Sequence, residues 1–142
     1  ILDKKLKIRA TSNIVKSAKK HKTIIFFNKV NEKKINYLKN LKIKLIKCHL
    51  NKDGNLDLKY ILTKVKLLGF SRIFLESGLN LTTNFLKEGL VNDFQLFVSD
   101  KKLGVNGSNS FRKNIKLFLN DKYFINEKVN LFGDKLISYR IK

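Results

Sequence analysis

Apolar and polar positions alternate in blocks along most of the chain, and their spacing predicts strands and helices in turn. Thr23 to Asn28 (TIIFFN) is a continuous apolar run, the mark of a strand buried on both faces. Asn31 is placed to cap a helix carrying Ile35 and Leu38. From Lys42 to Cys48, Ile43 and Leu45 alternate with basic residues, which predicts a second strand. Leu58, Ile61, Leu62 and Val65 follow helical spacing, and Gly69 supplies the stop. Arg72 to Glu76 (RIFLE) reads as the next strand, Leu81 to Glu88 as a helix closed by Gly89, and Asn92 to Ser99 as another strand. From Tyr123 onward the period is two. Tyr123, Ile125, Val129 and Leu131 lead up to a Phe132-Gly133-Asp134 turn, and Ile137, Tyr139 and Ile141 lead back. Strand–helix alternation followed by an antiparallel pair predicts an α/β domain, with a mixed sheet flanked by helices and a C-terminal antiparallel hairpin. Val105 to Ser110 is the best candidate for a mobile loop.

Composition narrows the class. At 142 residues, 43% of them hydrophobic, the chain has the length and the core of one domain spanning 1–142. No apolar run approaches the ~18 residues of a membrane helix, and the start lacks a signal-peptide pattern. A lone Cys48 excludes an internal disulfide and fits a reducing cytoplasm. Cys48 and His49 have no partner cluster in the sequence, so a strand-end thiol and a surface imidazole are expected rather than a metal site. The chain contains no methionine and starts abruptly at Ile1-Leu2-Asp3, so it reads as part of a longer polypeptide.

The net charge of +20 would suit a polyanion. Nearly all of it is lysine, however; the arginines are only Arg9, Arg72, Arg112 and Arg140. Lysine, asparagine and isoleucine together are what an A/T-rich coding sequence produces. The lysines are scattered, with no arginine- or aromatic-rich tract. A non-catalytic, basic nucleic-acid-binding domain is therefore the weaker alternative to an enzyme.

The chemistry points to Phe74-Leu-Glu-Ser-Gly-Leu-Asn-Leu-Thr-Thr-Asn84. In open α/β sheets ligands collect beyond the carboxyl ends of strands, where the next helix begins. Free amides and about half a positive charge at a helix start favour phosphate. Gly78 lets the backbone approach a ligand that a Cβ would block. Asn80, Thr82 and Thr83 can cap the helix or donate to phosphate oxygens. Glu76 would close an apolar strand, where a desolvated carboxylate needs a partner: a ligand hydroxyl or amine, or a nearby lysine. Neither Gly-x-Gly-x-x-Gly nor Gly-x-x-x-x-Gly-Lys-Ser/Thr occurs in the sequence.

Taken whole, Ile73 to Gly104 resembles the C-terminal reductase domain of the bifunctional riboflavin biosynthesis deaminase–reductase, a dihydrofolate-reductase-like family. Its pattern of apolar strand, Glu-Gly-Gly-x-x-Leu, short helix, Gly-Leu-Val-Asp-Glu, strand and Pro-Lys-Leu-Leu-Gly is similar to three blocks here. These are Leu75-Glu-Ser-Gly-Leu-Asn-Leu81, Gly89-Leu-Val-Asn-Asp93 and Lys101-Lys-Leu-Gly104. Ile1-Leu-Asp-Lys-Lys-Leu-Lys-Ile8 is similar to the family's Val-Leu-Asp-x-x-Leu-Arg-Ile. Gly54-Asn-Leu-Asp-Leu58 is similar to its Gly-x-Leu-Asp-Leu, and Phe132-Gly-Asp-Lys-Leu136 to its closing Leu-Gly-Asp-Asp-Leu.

The resemblance implies NADPH-dependent reduction of the ribosyl group of 5-amino-6-(5-phosphoribosylamino)uracil to ribityl. Glu76 would face the substrate. Gly78, Leu79, Asn80, Leu81, Thr82, Thr83 and Asn84 would line the cofactor, and Lys4 would lie near its extra phosphate. No protein nucleophile is implied, because hydride transfer is the cofactor's chemistry. A homodimer through the C-terminal strands is implied as well. So is a piece truncated at its N-terminus, whose first strand and substrate-phosphate loops lie upstream of Ile1. An upstream His-x-Glu…Cys-x-x-Cys pattern would show whether a deaminase domain precedes it. A related NADPH-dependent reductase acting on another pyrimidine- or pterin-like molecule is the alternative within this fold. Two departures stand out: Ser77 replaces the first glycine of the pair, and Asp100 stands where the family has proline. The pair often includes a cis peptide, which between non-proline residues costs ~2.5–4 kcal/mol.

Overall fold

A computed structural model describes residues 1–29, 32–101 and 115–142. They form two compact units, Ile1–Arg72 and Ile73–Lys142.

The first unit is organised on strand β1 (Ile24–Phe27), which pairs in parallel with β2 (Lys44–Lys47) in the register Ile24↔Lys44 to Phe27↔Lys47. Helix α2 (Glu32–Asn40) makes the crossover that a parallel pair requires. On its other edge β1 takes residues 1–3: Phe26 donates to the Ile1 carbonyl at 2.9 Å, and the Asp3 amide donates to the Phe26 carbonyl at 3.0 Å. With neighbours on both edges β1 must also be covered on both faces, and Ile25, Phe26 and Phe27 are all buried. Ile25 and Phe27 join Leu6, Val15, Ala18, Leu38 and Ile43 in one core. Val15 and Ala18 come from a short helix α1 (Asn13–Lys16) and the 3₁₀ turn Ser17–Lys19, which the sequence pattern did not predict. The outer strand β2 exposes Lys44 and Lys47, charges that discourage further pairing at an edge. Helix α3 (Leu58–Leu67) starts where the Asp57 carboxylate accepts from the Tyr60 amide at 2.9 Å. It ends before Gly69, at φ +90°.

The second unit contains helix α4 (Leu79–Lys87), strand β3 (Asp93–Val98), helix α5 (Lys116–Leu119), and strands β4 (Phe124–Asn126) and β5 (Lys135–Arg140). The strands form an antiparallel sheet in the order β3-β5-β4. Phe94, Tyr139 and Phe124 share one register row. Phe94 and Tyr139 pack with Leu79 and Val91 against Leu86, Ile115 and Leu119. Arg140 and Asp93, a register pair, are joined at 2.9 Å. Strand β3 is an edge of this sheet, contains no lysine, and leaves Phe97 61% exposed.

Parallel and antiparallel pairs both occur, as the α/β reading required, but three details differ from expectation. Arg72–Glu76 is not a strand: residues 71–77 make no backbone hydrogen bond among the described residues, and Phe74 is 77% exposed. The alternation is present, but no described strand lies beside it to form a ladder. The rising arm of the hairpin stops at Asn126, because the pairing of β4 with β5 covers only Phe124 to Asn126. The chain leaves that ladder as the Val129 amide turns back onto the Glu127 carbonyl at 3.0 Å, and the positive φ of Phe132 and Gly133 closes the loop. Helix α4 begins at Leu79, two residues before the expected start. The Asn31 cap and the Val105–Ser110 loop lie outside the described residues.

Candidate functional site

Gly78 is the N-cap of α4, with φ −68° and ψ 165°, and no side chain caps the helix. The first backbone bond runs from the Thr82 amide to the Gly78 carbonyl at 3.2 Å. The amides of Leu79, Asn80 and Leu81 have no acceptor among the described residues, so the positive end of the helix carries three free donors. Gly78 is exposed, and a Cβ there would meet nothing within 4 Å. Its φ and ψ are open to any residue, so neither the local backbone nor its neighbours require glycine. The space beside Gly78 is open.

Side chains around this start divide into inward and outward groups. Phe85 and Leu86 are buried, and Leu79 packs on the Leu86 core. Thr83 is also buried, and its hydroxyl donates back to the Leu79 carbonyl at 2.7 Å, a bond within the helix. Asn80 is exposed, while Leu81, Thr82 and Asn84 are half-buried. Oγ of Ser77 lies 2.9 Å from Oγ1 of Thr82. Ser77 was singled out from the sequence only as a departure from a glycine pair. Its spacing of five from a threonine across a helix start allows this contact but does not by itself predict it. No peptide bond among the described residues is cis.

Glu76 is exposed and makes no ion pair or hydrogen bond with another described residue. It therefore bears no desolvation cost of the kind expected for a strand end. Its carboxylate stands two residues ahead of the helix N-cap, free to accept from a partner outside the chain.

Lys4 belongs to the first unit and Gly78–Asn84 to the second. Half-buried, Lys4 donates from Nζ to the Gly54 carbonyl at 2.7 Å, and its own carbonyl accepts from the amides of Asn28 and Lys29. It ties the 51–55 turn to the end of β1 while keeping two further N–H donors. Nearby, Cys48 is a buried strand-end thiol, pushed up by burial and by the charge of Asp57, and so is no nucleophile at neutral pH. His49 is largely exposed, 3.5 Å from Asp57 and packed on the Tyr60 ring.

Outward-facing amides, hydroxyls and an open glycine can hold an oxyanion, and the unpaired carboxylate beside them can orient a hydroxyl or amine. Comparison with known proteins places the chain in a family. Over 99% of its length the chain superposes on two structures of Acinetobacter baumannii RibD, form 1 and form 2, with TM-scores of 0.67 and 0.68 at 18% identity, covering 36% of that chain. It also superposes on a pyrimidine reductase-like protein from Corynebacterium diphtheriae with a TM-score of 0.72 at 13% identity, covering 98% of this chain and 58% of the other. The chain thus spans about a third to somewhat over half the length of these solved structures. At such identities the likeness establishes the fold, and the expected α/β, dihydrofolate-reductase-like class holds. The model of the RibD C-terminal domain matches residues 1–122, and the chain belongs to that family.

Proposed function

We propose that this chain is the reductase domain that uses NADPH to convert the ribosyl group of 5-amino-6-(5-phosphoribosylamino)uracil to ribityl in riboflavin biosynthesis. The observation that carries the reading is the uncapped, glycine-fronted start of α4 in a chain of this family. The amides of Leu79, Asn80 and Leu81 suit a pyrophosphate, with Asn80 and the Thr82 hydroxyl as added donors. When bound, NADPH supplies the hydride. Glu76 would accept a hydrogen bond from the substrate and fix its orientation, which is the protein's main contribution to such a transfer. Lys4 would pair its remaining donors with the extra phosphate that distinguishes NADPH from NADH. A cytoplasmic homodimer is part of the same reading.

The test is NADPH oxidation with the ribosylaminouracil as substrate. We expect NADPH binding and turnover that depends on this substrate. A protein that melts cooperatively but oxidises no NADPH would remove the reading. Oxidation with a different pyrimidine or pterin, and not with this one, would move it to the sister activity.

A further inference from the structure

Charge is divided unevenly between the two units. Residues 1–72 hold 20 of the 31 Lys and Arg but only four of the 11 Asp and Glu, so most of the net +20 belongs to the first unit. Its four acids all lie toward the carboxyl end of the β1–β2 pair. Glu32 opens α2 and Asp57 caps α3. Asp53 stands in the 51–55 turn that follows β2, and Asp3 runs beside Phe26. The amino end of the pair has no acid among the described residues of this unit.

Backbone pairing gathers at that end lysines that are far apart in the sequence. Lys19, Lys20 and Lys22 lead into β1, while Lys42 and Lys44 lead into β2. The Lys44 amide donates to the Thr23 carbonyl at 3.0 Å, which sets the two approaches side by side. All five lysines are exposed, and none forms an ion pair with a described residue. Helix α3 returns to the same end. There Phe70 is 46% exposed, and Nζ of Lys22 stands 5.8 Å from its ring centroid. The dipoles of α2 and α3 account for Lys39, Lys64 and Lys66 in their last turns. They leave Lys19, Lys20, Lys22 and Lys44 outside that account. A/T-rich coding explains how many lysines the chain has, but not why one end of a sheet has no acid to offset them.

We propose that the amino end of the β1–β2 pair is a docking surface for a single-stranded nucleic acid, with these lysines on its phosphates and Phe70 under a base. Lysine contacts to phosphate supply affinity without reading sequence. An exposed ring beside them is a stacking platform for an unpaired base. A duplex keeps its base faces inside and offers Phe70 nothing, which favours the single strand. Lys4 and the 51–55 turn lie at the opposite end of the pair, so the proposal does not rest on the reductase reading.

Fluorescence anisotropy of a short labelled oligouridine on the full chain, with thermal melting alongside, tests this. Binding through about five phosphate contacts should weaken about tenfold when salt doubles from about 0.1 to 0.2 M. Combining Lys19→Glu, Lys20→Glu, Lys22→Glu and Lys44→Glu should lose about a hundredfold or more and flatten most of that salt dependence. If this set lowers the melting temperature, Gln at the same four positions reads the same contacts through the salt slope. Lys87→Glu, Lys116→Glu, Lys128→Glu and Lys135→Glu together change the net charge equally from the second unit, and should lose no more than about threefold. Phe70→Leu should weaken binding about fivefold or more with the salt slope unchanged. Equal losses in the two charge-reversed sets would overturn the proposal in favour of the bulk charge. Phe70→Leu binding like the wild type would overturn the single-strand assignment. Binding to phosphatidylserine vesicles without binding to the oligonucleotide would overturn it in favour of a membrane surface.

Discussion

Replacing Gly78 with serine sets helix stability against ligand binding at one atom. Gly78 sits at φ −68° with nothing within 4 Å of a built Cβ, so the substitution meets neither backbone strain nor a clash. The new hydroxyl can accept from the amide of Asn80 or Leu81. Serine is better than glycine at an N-cap by only a few tenths of a kcal/mol. In a chain of this size that amounts to a rise in melting temperature of about 1 °C. The same contact withdraws one free amide from the site. A hydrogen bond to a charged group contributes ~1.5–3 kcal/mol, so NADPH should bind roughly 10- to 100-fold more weakly. Differential scanning fluorimetry and NADPH titration of one preparation read both quantities, which should move in opposite directions. An unchanged dissociation constant with a raised melting temperature would show that the amides do not meet the cofactor.

Glu76→Gln should lower reductase turnover with almost no change in melting temperature, because the exposed carboxylate has no partner among the described residues to lose. Large destabilisation with turnover retained would make it a fold residue. Lys4→Glu should act twice. Losing the 2.7 Å bond to Gly54 costs ~1 kcal/mol, or about 3 °C in melting temperature, and the preference for NADPH over NADH should narrow. A lower melting temperature with the preference intact would leave Lys4 only its tie to the 51–55 turn.

Much of this architecture is legible in the residue pattern, and the misses share one cause. The TIIFFN run has no polar alternation, so it requires cover on both faces, and β1 has it. Gly69 and Gly89 punctuate helices because each adopts a positive φ that other residues resist. Side-chain pattern states which face of a segment prefers water; it does not state what lies beside the backbone. Ile73 and Leu75 alternate like strand residues, yet strand structure exists only where a neighbour supplies donors and acceptors. The long alternation from Tyr123 to Leu131 likewise bonds to β5 only from Tyr123 to Glu127 among the described residues. Helices α1 and α5 are a single turn each, too short to display a period. At the candidate site, Gly78 and the helix start were legible as a turn chemistry. The Ser77–Thr82 contact was not, since it depends on which way two rotamers face.

Among the described residues β3 is an edge of its sheet and carries no lysine. Edge strands are usually kept apart by a charge planted on the strand itself; β3 has only Asp93, already joined to Arg140. Its protection comes instead from the +20 of the whole chain, a repulsion acting at a distance. That repulsion reaches ~10 Å in 0.1 M salt but only ~3 Å in 1 M, less than the ~4.8 Å between paired strands. Concentrated salt should therefore drive self-association, visible as rising light scattering, and dilution should reverse it. Colloidal stability of this chain should therefore vary with the salt in the buffer.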